Sequence, residues 1–98
     1  MSTYIKIGKL AASHGVKGNL ILEHRFGKKT TLKGLKAIFI EEFTDRFLPY
    51  FIESVSVRSE QEVLIKLEGI NDRESARKLT PKQVWIPEAA FKQYAAAS

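Results

Sequence analysis

The strongest constraint on this chain is a two-residue rhythm that comes in short bursts with turn residues between them. Val63, Ile65 and Leu67 alternate with Leu64, Lys66 and Glu68. Such a segment forms a strand that buries one face and leaves the other wetter. Ile5 and Ile7 alternate with Tyr4 and Lys6 in a stretch predicted to run from Tyr4 to Ala11. Asn19 to Arg25 resumes extended character, with Leu20 and Leu22 on one face and Glu23 and Arg25 on the other. Leu35 to Glu42, Tyr50 to Arg58 and Lys82 to Pro87 complete the set, and the last places Val84 and Ile86 opposite Trp85. A flat sheet of six short strands would expose unpaired edges, which closure removes. The chain therefore reads as all-β, a small six-stranded antiparallel β-barrel.

The segments between the strands sharpen this outline. Ser13 to Gly18 holds Gly15 and Gly18 and reads as a tight turn joining the first two strands into a hairpin. Phe26 to Gly34 reads as a basic loop, and Ser59 to Glu62 as a polar turn. Glu41 to Pro49, with Asp45, Arg46 and Pro49, is predicted to be a long connection. One short helix is predicted near residues 72–79. Asn71 is its expected N-cap and Glu74 the capping-box partner. Ala76 and Leu79 share a face of it, and Pro81 stops it. Residues 1–87 then form the barrel and residues 88–98 a tail. Phe91 and Tyr94 allow one helical turn there, and Ala95-Ala96-Ala97-Ser98 reads as a frayed end.

Few chemistries are open to such a chain. It has no cysteine, so disulfides, thiolate nucleophiles and cysteine-held zinc are excluded. His14 and His24 are its only histidines, too few for a histidine-rich metal site. His14 has Ser13 only as a direct neighbour, and hydrogen bonding within the turn accounts for it, although triads are assembled in space. Glu68, Asp72 and Glu74 read as helix capping balanced by Arg73 and Arg77 rather than as a carboxylate pair. Trp85 reads as a core or rim aromatic, with an interface anchor as the other reading. No catalytic centre, metal or other cofactor is expected. No segment approaches the ~20 apolar residues of a membrane span, and the N-terminus carries no targeting pattern. The lack of cysteine fits a reducing cytoplasm, the expected location.

Charge points to a polyanion. The net charge is +5 and the pI about 9.6, a balance that draws polyanions through the long-range field. His24-Arg25-Phe26-Gly27-Lys28-Lys29 continues through Lys33 and Lys36 with no acidic residue. Cations beside an aromatic suit phosphate contact and base stacking, whereas a solvated loop is the plainer reading. The glycines at 15 and 18, flanking Val16 and Lys17, either let the backbone approach a phosphate or merely permit a sharp bend.

Two motifs together carry a family resemblance. Gly8-Lys9-Leu10 followed by His14-Gly15-Val16-Lys17-Gly18 resembles the opening motif of the ribosome maturation factor RimM family. Leu67-Glu68-Gly69-Ile70-Asn71-Asp72-Arg73-Glu74, then Ala76 and Leu79, resembles the second motif of that family's N-terminal domain, and Val84 to Pro87 its closing strand. Asn19, Asn71 and Thr80-Pro81 depart from the usual residues. The resemblance implies a barrel similar to the second domain of translation elongation factors. It also implies a second, PRC-type barrel beyond this chain, so the chain is expected to be one half of the working protein. By the same resemblance the expected role is association with the immature small ribosomal subunit, through a head ribosomal protein or rRNA, to assist head maturation and rRNA processing. The expected binding residues are His14, Gly15, Lys17, Gly18, Arg25, Lys28, Lys29 and Arg73, on a monomer with no membrane partner. The rivals are a stand-alone RNA-binding barrel, which needs exposed aromatics, and a flavin-reductase-like enzyme, which needs a deep pocket.

Overall fold

The computed structural model describes residues 3–94. Six strands, β1 (Tyr4–His14), β2 (Asn19–His24), β3 (Ala37–Phe43), β4 (Arg46–Val57), β5 (Glu62–Leu67) and β6 (Gln83–Pro87), close into a barrel in the order β1-β2-β5-β4-β3-β6. Every neighbouring pair is antiparallel, and the short β3–β6 pairing, Phe39 opposite Trp85 and Ile40 opposite Val84, closes the ring. The expected all-β barrel is the observed one.

Alternation explains the core. Leu20 and Leu22 of β2, Ile38 and Ile40 of β3, Val63, Ile65 and Leu67 of β5, and Val84 and Ile86 of β6 are all fully buried. Each contributes roughly 1.5–3 kcal/mol relative to an exposed side chain. β1 runs three residues further than expected because two register irregularities, at Lys6/Gly8 and Leu10/Ala12, bend it. Such irregularities let one long strand wrap a small barrel and pair on both sides.

One connection differs from the sequence expectation. The long connection from Glu41 to Pro49 is instead a two-residue turn at Thr44 and Asp45, and β4 begins at Arg46. Asp45 takes φ 61°, and its N–H donates to Glu41 Oε2 at 2.9 Å. The charged and proline residues hid an outward aromatic. Phe47 stacks on Tyr4 with ring centroids 4.7 Å apart and meets Trp85 at 5.1 Å, which draws the segment into the sheet. Pro49 is tolerated because β4 pairs only with β3 there; pairing with β5 starts at Ile52.

The tail also differs. Residues Glu88–Tyr94 form a helix, α2, that packs on β1 and β6. Phe91 and Tyr94 lie one helical turn apart and meet Phe26 at 5.8 and 6.0 Å, while the Tyr94 hydroxyl donates to the Lys33 carbonyl at 2.6 Å. The frayed end expected for residues 95–98 lies outside the described residues.

The predicted helix near 72–79 is α1, Arg73–Arg77, packed on β1 and β2 through buried Ala76. Its N-cap is Asp72 rather than Asn71. The Asp72 carboxylate accepts from Ser75 N at 2.7 Å and from Ser75 Oγ at 3.2 Å. Those bonds, the backbone one first, hold its carboxyl below the usual range. Asn71 instead accepts from Lys66 Nζ at 2.8 Å. Shifting the cap by one residue displaces Glu74 from the capping-box position, and Ser75 takes it.

Candidate nucleic-acid interface

The eight sequence-predicted site residues fall into two neighbouring groups. The first sits where the β1–β2 turn meets α1. The Arg73 side chain donates from Nε to the Gly15 carbonyl at 3.1 Å. Gly18 is buried, and a Cβ there would overlap the carbonyl oxygen of Ile70, just before α1. This glycine is spent on packing, which is the bend reading in a stronger form. Gly15 has open space where a side chain would project and needs glycine only for its φ of 75°. His14 and Lys17 are exposed beside it.

The second group is the loop after β2. Lys28 and Lys29 are exposed, and together with Lys33, Thr30 and Thr31 they surround a shallow depression of about 450 Å³ floored by Val57 and Tyr94. The loop is held from within. Phe26 is only 2% exposed, between His24 and the α2 aromatics, and Leu32 is equally buried. Phe26 is therefore not a stacking platform beside the lysines, and that expectation is corrected: the aromatic of the basic run faces the core.

A residue overlooked in the sequence joins the groups. Arg58, at the end of β4, places Nη1 3.5 Å from His14 Nδ1. It shares a second depression with Lys29, Ser59, Glu60 and Gln61. Its ion pair with Glu62, at 3.6 Å, is more than a third exposed, so it leaves the guanidinium available to a stronger anion. Gln61 in turn lines a third cavity with Arg25. The result is a rim in which the cations Arg73, Arg58, Lys29 and Lys28 follow one another past His14, with Arg25 at its side. The only hint in the sequence was an arginine next to a polar turn; proximity to His14 across 44 positions has no sequence trace.

His24 behaves differently from the rim. It is buried, its Nδ1 accepts from Phe26 N at 3.3 Å, and Nε2 has no hydrogen-bond partner among the described residues. Burial lowers its pKa, favouring the neutral ring. Among the described residues no three His, Asp or Glu side chains group to hold a metal, and no helix is long and apolar enough to cross a membrane.

Comparison with known proteins fits this geometry. The RimM N-terminal domain family matches residues 5–91. The ribosome maturation factor RimM of Azobacteroides pseudotrichonymphae is 34% identical over 84 residues, covering 86% of this chain and 48% of that protein. RimM of Parabacteroides distasonis is 34% identical over 83 residues, covering 84% and 46%. The chain thus spans about half the length of the curated relatives it matches. Among solved structures, a Pseudomonas aeruginosa protein described as a 16S ribosomal RNA processing protein RimM superposes with a TM-score of 0.70. It is 20% identical, over 89% of this chain and 52% of that one, and so supports the fold alone.

Proposed function

The chain belongs to the RimM N-terminal domain family, and from that premise we propose that it is the barrel module of a ribosome assembly factor acting in the cytoplasm. In this reading it associates with the immature small subunit and assists head maturation and processing of the small-subunit rRNA. The family match over residues 5–91 carries the proposal. The second, PRC-type barrel supplies the other half of the working protein and a share of the binding to a head ribosomal protein. The barrel here contributes His14 beside a rim of Lys17, Arg25, Lys28, Lys29, Arg58 and Arg73, whose charges suit rRNA phosphates. Gly15 and Gly18 shape the turn that presents them.

The test is co-sedimentation with purified immature and mature small subunits, using this chain alone and joined to the second barrel. Preferential association with immature particles is expected. Lys28→Glu with Lys29→Glu should weaken it about tenfold and flatten its dependence on salt, since each lost phosphate contact removes roughly 0.7–0.9 from the log–log slope. Failure of both forms to associate with immature subunits defeats the proposal.

A further inference from the structure

We propose that the outer wall of the barrel over β1, β2 and β6 carries a separate binding site for a phosphoryl group. A cavity of about 400 Å³ opens there. Three cationic residues line it, Lys6, Lys9 and Arg25, with Gly8, His24, Gln61 and Gln83 and a single acidic residue, Glu23. Among the described residues, none of the three cations pairs with a carboxylate within 4.0 Å. Three unneutralised cations against one carboxylate leave two positive charges in excess, which matches a phosphoryl dianion or a pair of phosphodiesters. A single planar carboxylate, with two acceptor oxygens, would leave one of the cations unanswered; a phosphoryl dianion has three terminal oxygens and a pair of phosphodiesters has four, enough for each cation.

The backbone explains why the cavity is here. Gly8 lies between Lys6 and Lys9 in β1, and a Cβ on it would overlap the carbonyl oxygen of Glu23 in β2. The missing side chain lets β1 and β2 close tightly and leaves a dip between the long side chains on either side. Lys9 faces Glu23 on one neighbouring strand and Gln83 on the other. Arg25 is placed by its N–H bond to the Ile7 carbonyl at 2.9 Å, and the turn bearing Gln61 by the bond from His24 N to the Gln61 carbonyl at 2.8 Å. The lining is thus mounted on paired backbone on three sides, unlike the lysines of the 26–34 loop. Gln61 also lines the depression that holds Lys29 and Arg58, so a strand of RNA on the rim can continue into this cavity. The inference deepens the rRNA reading and rests on it for the macromolecular source of the phosphate.

The test uses the whole chain, with backbone amide NMR shifts read during titration with inorganic phosphate and, separately, with a short single-stranded RNA. Saturable shifts at Gly8, Lys9, Arg25, Gln61 and Gln83 are expected. Lys6→Glu with Lys9→Glu, neither of them a rim residue, should remove them while an unchanged melting temperature shows the barrel intact, and should weaken RNA binding at least tenfold. Displacement of bound phosphate by RNA assigns the site to RNA phosphodiesters; saturation by phosphate without such displacement assigns it to a free phosphate. Shifts spread evenly over all surface lysines mean an adventitious ion only and overturn the proposal. RNA shifts confined to Lys28, Lys29 and Arg58, with phosphate silent at the cavity, overturn it too, yet leave the assembly-factor reading standing.

Discussion

The turn at residues 15–18 and the loop at residues 25–36 both combine glycine with cations, and they are held in place by opposite means. The turn is held at its own backbone: Gly18 abuts the Ile70 carbonyl, and the Arg73 side chain donates to the Gly15 carbonyl. The loop is fixed from inside by side chains: Phe26 and Leu32 enter the core, and Tyr94 ties down Lys33. In each case the residue that gives the motif its look, a glycine or an aromatic, maintains the fold, while the exposed cations around it stay free to bind. A motif with a family resemblance can therefore be mostly architectural, as the turn at Gly15 and Gly18 is.

Three tests would break or sharpen that contrast, the strongest first. Phe26→Ala should cost about 3–5 kcal/mol, as for a large aromatic lost from a core. A denaturant melt checks this, and a cost below about 1 kcal/mol would mean the loop is not anchored through the core. Gly18→Ala should cost about 3 kcal/mol because a Cβ meets the Ile70 carbonyl at a φ of 94°. Gly15→Ala, with open space around it, should cost only about 1 kcal/mol. Equal costs for the two would contradict the packing role given to Gly18.

The third test concerns pH. Burial lowers the His24 pKa, so the unfolded chain takes up a proton first as pH falls. Stability from this group is complete above the unfolded value of about 6.5 and is lost as pH drops from there toward the lower folded pKa. His24→Gln should flatten the stability profile across that window, a smaller effect than the other two. An unaltered acid limb would place its origin in other groups, Asp72 among them. Its carboxyl is held low by Ser75, so its contribution is present above the ordinary carboxylate range and lost in more acidic solution.

Much of the barrel was legible because alternation is a local signal. The inward residues of β2, β5 and β6 follow from the sequence, since a period of two assigns each side chain to a face without knowing its neighbour. The hairpin turn, the short helix and the basic loop were legible for similar reasons. The N-cap was missed by one residue because Asn71 and Asp72 are both good caps, and only the reach of Lys66 to Asn71 decides between them. The turn at Thr44 and Asp45 was missed because Phe47 gains from Tyr4 and Trp85, which are remote in sequence. For helix α2 the sequence allowed only one turn at Phe91 and Tyr94, and its full length and packing were missed for the same reason, its aromatics being useful only once Phe26 is near.

By itself, then, the sequence determined which residues face inward, which segments turn, how much charge the surface carries and, through its two motifs, which family the chain resembles. Only the tertiary structure decided which cations stand together. Arg58 beside His14, and Lys6, Lys9 and Arg25 around one cavity, are products of strand order and register. Electrostatic binding depends on distance through space, and closing the barrel is what converts separations of tens of residues into a few ångströms.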